Sequence, residues 1–137
     1  MTGEKLFLRY AFPCVEVRES MGVISPHHNK ELTDWIKNDV QPARSRLKFC
    51  FPNAFRALRA LASNTGREIW SIENIQDYWH NNHRRPGECG VHLITVGSVD
   101  GGIVISNRQF FVNIYNLSLR AGDRIYTHKK YVIEKVD

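Results

Sequence analysis

The sequence predicts an α+β protein with a helical first part, residues 1–87, and a small five-stranded antiparallel β-barrel over residues 88–137. Two observations support this division. Apolar residues recur at helical spacing before Pro86-Gly87, whereas the period changes to two from Val91 onward. Turn signals such as Asp100-Gly101-Gly102 separate the short runs of the second part, and closure into a barrel would leave few open sheet edges.

Four helices are predicted in the first part. Ser25 and Ser71 are typical N-caps, Pro42 ends or kinks the first helix, and Gly66 stops the third. Periodicity alone assigns the apolar segment within residues 1–24 neither to a strand nor to a helix. The four apolar stripes are, in chain order, Leu32, Trp35, Ile36 and Val40; Leu47, Cys50 and Phe51; Phe55, Leu58, Leu61 and Ala62; and Ile72, Ile75, Tyr78 and Trp79.

Five short runs with a period of two make up the second part. The predicted strands are Val91–Val99, Ile103–Ser106, Phe110–Tyr115 and the two arms of a hairpin that follows Gly122-Asp123. The arms are centred on Ile125 and Ile133.

Length, composition and charge set broad limits on function. A chain of 137 residues with 42% hydrophobic and 24% charged residues can bury a core, and its net charge of +5 suits a nucleic-acid, anionic-lipid or acidic-protein partner. Its three cysteines are widely spaced, so we expect no disulfide framework and a reduced, cytoplasmic protein. Arg9 interrupts the apolar run before it, and no stretch could span a bilayer, so neither a signal peptide nor membrane insertion is expected.

The stretch from Ala43 to Arg67 contains six basic residues and no acidic one. A helix face of this composition could contact phosphates or meet an acidic protein, and a merely solvated face has the same composition. The candidate residues for partner or nucleic-acid binding are Arg44, Arg46, Lys48, Arg56 and Arg59.

A compact set of possible zinc ligands precedes and enters the first strand. Zinc takes imidazole and thiolate ligands in a tetrahedral set, and a structural site could pin the junction between the two parts. A polar helix end followed by a loop has the same composition. The candidate ligands are His80, His83, Cys89 and His92.

The sequence contains no recognisable catalytic motif. It has no nucleotide-binding glycine loop, no serine-hydrolase elbow and no zinc-protease helix signature. We therefore expect a protein that is not an enzyme.

Residues 89–137 resemble the HypC/HupF-type hydrogenase assembly chaperones. The segment with the most specific likeness runs from Gly122 through Asp123 to His128. The other matching pieces are Cys89 shortly before a strand, Val99-Asp100-Gly101, Phe111-Val112-Asn113, Leu117, Leu119 and Tyr131–Val136.

The resemblance implies a small OB-like barrel and a role in metal delivery. Members of that family carry an iron centre with cyanide and carbon monoxide ligands to the large subunit of nickel–iron hydrogenase. They rely on a cysteine at the start of the module and on a later histidine, which here are Cys89 and His128. The partner would be that subunit or another assembly factor.

Three functions are therefore predicted as alternatives. The first is a hydrogenase accessory factor that holds a metal centre or a partner protein. The second is a nucleic-acid-binding module that uses the basic helical face and the OB-like barrel. The third is a zinc-pinned protein-interaction domain.

Overall fold

A computed structural model describes residues 1–83 and 90–137 of the chain. The chain divides into two compact units, Met1–Asn82 and His83–Asp137. Helices form the first unit and strands form the second, which confirms the mixed α+β class and the order of its parts. The predicted domain boundary, between residues 87 and 88, lies outside the described residues.

The first unit contains six α-helices, a 3-10 turn (Phe12–Cys14) and a π-helical turn (Tyr78–Asn82). The α-helices are α1 (Gly3–Ala11), α2 (Val15–Ser20), α3 (Pro26–Lys37), α4 (Arg44–Cys50), α5 (Pro52–Thr65) and α6 (Ile72–Asp77). The side chains of Thr2, Ser25 and Ser71 accept backbone N–H groups and so cap α1, α3 and α6. Within the described ranges, no helix combines the length and the apolar composition needed to cross a membrane.

Helix α1 is buried on almost every side and is central to the core of the first unit. The fully buried ring of Phe7 makes edge-to-face contacts with Phe51, Trp70 and Trp79, at centroid distances of 5.5–5.9 Å. Gly3 packs directly on the backbone of Trp70, because a Cβ at Gly3 would lie 1.7 Å from that carbonyl oxygen. The apolar run Leu6-Phe7-Leu8 is short and continuous, and such a run fits a buried strand as well as a helix, so periodicity alone could not identify α1.

The second unit contains a six-stranded sheet. Its strands are β1 (Val91–Thr95), β2 (Ser98–Asp100), β3 (Ile103–Ser106), β4 (Gln109–Val112), β5 (Arg124–His128) and β6 (Tyr131–Lys135). The strand order is β1-β5-β6-β4-β3-β2, and every pair is antiparallel except β4 and β6, which are parallel. Five buried side chains form the core on this sheet: Val96, Val104, Phe111, Ile125 and Val132.

The structure corrects the prediction of a closed, five-stranded, antiparallel barrel, because the described residues form six strands in an open order and one pair is parallel. The extra strand arises where the predicted strand Val91–Val99 breaks. The N–H of Val96 donates to the carbonyl of Asp123, whereas the N–H of Gly97 donates to the carbonyl of Ile105, both at 2.8 Å. A Cβ at Gly97 would lie 3.0 Å from the Ile105 oxygen, so glycine allows this close approach.

The first predicted helix is shorter than its apolar pattern suggests. Helix α3 ends at Lys37 rather than near Pro42, because Asp39 adopts a left-handed backbone with φ of 52°. Val40 consequently lies beyond the helix and is 42% exposed. Its assignment to the apolar stripe was wrong.

Candidate functional site

His128, the histidine of the Gly-Asp…His segment, is the last residue of β5, and its side chain is fully buried. In the sheet register it lies opposite Val91 of β1 and Tyr131 of β6. The next residue, Lys129, has φ of 56°, so the chain turns at once toward β6. The backbone of His128 is thus held between two neighbouring strands.

Cys89, the predicted thiolate ligand, lies outside the described residues. The described chain resumes at Gly90 and enters β1 at Val91, the register partner of His128. The strand that follows Cys89 by two residues in the sequence therefore starts opposite His128.

His83 contacts His128 within the second unit. The two ring centroids are 5.5 Å apart, and the ring planes meet at 75°. The sequence patterns placed these histidines in different ligand sets, because the two residues are far apart in the chain. Among residues 1–83 and 90–137, no group of three or more histidines, cysteines, aspartates and glutamates could hold a metal ion.

The other two histidines of the predicted zinc set have different surroundings. The Nε2 of His80, in the π-helical turn, lies 2.7 Å from the hydroxyl of the buried Tyr10. His92 is exposed on β1, and its carbonyl accepts a 3.4 Å hydrogen bond from the Thr127 hydroxyl. Because Cys89 is not described, the four-residue set remains a prediction.

Half of the basic residues between Ala43 and Arg67 are engaged in ion pairs. The pairs are Arg44 with Glu4 at 2.9 Å, Arg46 with Glu31, and Arg67 with Asp77 at 2.6 Å. The acidic partners come from α1, α3 and α6, and all of them lie outside the stretch from Ala43 to Arg67. The composition of that stretch therefore did not reveal the ion pairs. These arginines already have anionic partners within the chain.

The remaining three basic residues, Lys48, Arg56 and Arg59, have no carboxylate partner in the described parts of the chain. Lys48 lies over the ring of Phe55, with Nζ 4.9 Å from its centroid. Arg56 and Arg59 are exposed one turn apart on α5. The free positive charge of this region is therefore concentrated on α5 and the neighbouring end of α4.

An open surface depression of about 460 Å³ lies beside these residues, lined by Arg44, Lys48, Arg67, Glu68, Ile69 and Trp70. The rings of Phe55 and Trp70 stack at 5.8 Å, and the Arg44 guanidinium lies 5.8 Å from the Trp70 ring. Both arginines in the lining are ion-paired, and Glu68 adds a negative charge. The depression thus offers little net charge to an anionic ligand.

Two cysteines, Cys14 and Cys50, belong to the first unit. Cys50 is fully buried, whereas Cys14 is only partly buried. Burial raises the pKa of the Cys50 thiol. Cys50 is therefore a poor nucleophile, which fits a packing role.

No protein-family model, no curated protein and no solved structure matches the chain.

Proposed function

We propose that the protein is a non-enzymatic accessory factor related to the HypC/HupF-type hydrogenase assembly chaperones, and that Cys89 and His128 bind a metal centre or a partner protein. The supporting observation is the register of β1 with β5, in which Val91, two residues after Cys89, lies opposite His128. A thiolate is a soft ligand for iron, and an imidazole suits iron as a second ligand or a hydrogen-bonding neighbour.

An OB-like arrangement of the second unit is part of this proposal. Strands β1 and β2 stand at opposite ends of the strand order, yet they follow each other in the chain. Val96 and Gly97 join them and donate hydrogen bonds to Asp123 and Ile105, on the β5 and β3 sides respectively. Counted as one bent strand, β1 and β2 give five strands, which is the number found in a partly open OB-like fold.

The cargo would be an iron centre with cyanide and carbon monoxide ligands. It would pass to the large subunit of nickel–iron hydrogenase or to another assembly factor. The zinc-pinned alternative has less support, because His80, His83 and His92 are all among the described residues and do not come together as a group that could hold a metal ion.

The test is metal analysis with infrared spectroscopy on the untagged chain, purified without oxygen from a host that makes nickel–iron hydrogenase. We expect iron together with cyanide and carbonyl bands in the wild type, and their loss in Cys89→Ser. Cys14→Ser is the matched control and should keep both, because Cys14 belongs to the first unit. Bands that survive in Cys89→Ser, or a wild-type chain without iron, would reject the proposal.

A second candidate, nucleic-acid binding, is favoured by the exposed arginines of α5. Arg56 and Arg59 are free of carboxylate partners within the described residues, and Lys48 lies nearby over Phe55. Such side chains can contact successive phosphates of a single strand. The test is the salt dependence of binding to a single-stranded oligonucleotide after charge reversal at Arg56 and Arg59.

A further inference from the structure

His83 and His128 come from distant parts of the chain and meet in the second unit. His128 is fully buried at the end of β5, and His83 is half-buried. Strands on both sides fix the backbone of His128, and full burial restricts its side chain. A ligand group held in this way loses little conformational entropy on binding.

The spacing of the two rings suits a shared metal ion. Their centroids lie 5.5 Å apart. Zinc binds an imidazole nitrogen at about 2.1 Å in tetrahedral geometry, which separates the centroids of two coordinated rings by roughly 5 Å. The observed spacing is close to this value.

The chemistry of the pair also suits a transition metal. Imidazole is a good ligand for zinc, nickel and copper, whereas calcium and magnesium prefer oxygen. In the described residues no third histidine, cysteine or carboxylate completes a set of ligands around this pair. Water or a donor from a bound partner would then fill the other positions, as in open metal sites.

We propose that His83 and His128 form a two-histidine site for a divalent transition metal of the zinc or nickel type, with open coordination positions. The site shares His128 with the proposed function, but it requires neither Cys89 nor an iron cargo. It also differs from the predicted zinc set, because it omits His80 and His92.

Isothermal titration of the untagged full chain with Zn²⁺ and Ni²⁺ tests this site. We expect one ion per chain in the wild type and an affinity lower by at least about tenfold in His83→Gln, since one of two protein ligands is lost. His92→Gln is the matched control, because His92 is an exposed histidine of the same unit. It should leave the affinity unchanged.

A measurement on the wild type avoids substitution of the buried His128. Ni²⁺ is paramagnetic and broadens the proton signals of rings that bind it. We expect the ring signals of both His83 and His128 to broaden together at substoichiometric Ni²⁺, ahead of those of His27 and His92. Absence of binding, equal loss of affinity in His83→Gln and His92→Gln, or broadening of only one ring of the pair would overturn the inference.

The outcomes separate this site from the proposed function. Zinc binding that is lost in His83→Gln but kept in Cys89→Ser, in a protein without infrared bands, would uphold the two-histidine site and reject the iron cargo. Infrared bands that depend on Cys89, together with a zinc affinity that His83→Gln does not change, would uphold the iron cargo and reject the two-histidine site.

Discussion

Gly3 is a residue at which a single methyl group decides the packing of the first unit. An alanine Cβ would lie 1.7 Å from the carbonyl oxygen of Trp70, and this contact is to backbone rather than to a flexible side chain. We expect Gly3→Ala to lower the free energy of unfolding by roughly 2 kcal/mol or more, because the start of α1 must move away from Trp70. Urea unfolding followed by circular dichroism measures this loss.

Gly102→Ala is the control for Gly3→Ala. A Cβ at Gly102 would meet no atom within 4 Å, and its φ is not in the left-handed region. The change in unfolding free energy should stay within about 0.5 kcal/mol. Equal stability of the two alanine variants would contradict the close approach of Gly3 to Trp70.

The carboxyl group of Asp77 makes the free energy of unfolding depend on pH. Hydrogen bonds from Asn81 (2.9 Å) and then from Arg67 (2.6 Å) hold the pKa of its carboxyl below the usual value. A carboxyl with a lowered folded-state pKa adds stability above its unfolded value of about 3.9, and this contribution is lost as pH falls through the folded pKa. We expect Asp77→Asn to destabilise the chain by up to about 1 kcal/mol at neutral pH, since the ion pair is partly exposed to solvent.

The measurement for Asp77 is the urea midpoint between pH 7 and pH 2. The wild type should lose more stability than Asp77→Asn over the acidic part of this range. Asp34→Asn is the comparison, because Asp34 is exposed and its carboxylate accepts no hydrogen bond from a described residue. Parallel curves for wild type and Asp77→Asn would remove the claimed linkage.

The sequence identified single histidines as candidate ligands, but it did not reveal which residues lie next to them in the structure. His83 and His128 were each candidate ligands, yet the contact of their rings joins positions that are far apart in the chain. Sequence patterns extend over a few neighbouring residues and do not report such non-local contacts. Glu4 was missed as the partner of Arg44 for the same reason, because the chain separation between them is large.

Among the elements, helix α3 shows how a short motif fixes a boundary. The Ser25 hydroxyl accepts the N–H of His28 at 3.2 Å, and Nδ1 of His28 accepts the N–H of Ser25 at 3.2 Å. We expect Ser25→Ala to cost about 1 kcal/mol of unfolding free energy, because the N–H of His28 loses its acceptor. Thermal or urea unfolding measures the loss.

Ser63→Ala tests whether the cap itself is responsible. Ser63 is an exposed residue inside α5, where alanine is the better helix former, so this variant should gain a few tenths of a kcal/mol. If both serine variants were equally stable, the reciprocal cap would contribute nothing.

Helix starts were predictable, and helix ends were less so. Ser25 and Ser71 are the caps that their sequence context indicates, because a serine hydroxyl acts within three residues. The end of α3 instead depends on Asp39, because aspartate takes a positive φ only occasionally and is therefore a weak signal for a helix end.

Strand boundaries depended on partners that the sequence does not reveal. The predicted third strand, Phe110–Tyr115, ends at Val112 because the Asn113 side chain bonds both the N–H and the carbonyl of Leu117. The sequence shows Gly97 within the first predicted strand, but it does not show that the backbone changes its hydrogen-bonding partner there. Only the position of Ile105 explains why the backbone changes partner at Gly97.

For the whole molecule, the formal net charge is +5, but the six basic residues between Ala43 and Arg67 are not equally available to an anionic partner. Carboxylates from α1, α3 and α6 neutralise three of the six basic residues between Ala43 and Arg67. The other three, on α4 and α5, have no carboxylate partner among the residues that the structure describes. If the net charge alone governed the attraction to an anionic partner, charge reversals at different positions would lower the affinity equally. If the α5 face makes the contact, a reversal on α5 lowers the affinity more than one elsewhere.

Charge reversal at Arg56 and Arg59 separates these two cases. We expect the double variant Arg56→Glu/Arg59→Glu to weaken binding to a single-stranded oligonucleotide, and to reduce the slope of log K against log salt by about 1.4, because two phosphate contacts are lost. Lys30→Glu/Lys37→Glu changes the net charge equally at exposed positions of α3. Fluorescence anisotropy at several salt concentrations gives both the affinity and the slope.

The comparison between the two double variants decides the meaning of the α5 face. A reduced slope confined to the α5 variant would identify Arg56 and Arg59 as phosphate contacts, since the α3 variant carries the same net charge. Equal weakening in both variants would mean that only the overall charge acts, and unchanged binding in both would remove the nucleic-acid candidate. If binding is unchanged in both variants, the α5 face is a solvated helix surface. The candidate functional residues would then be those of the second unit, including its histidines.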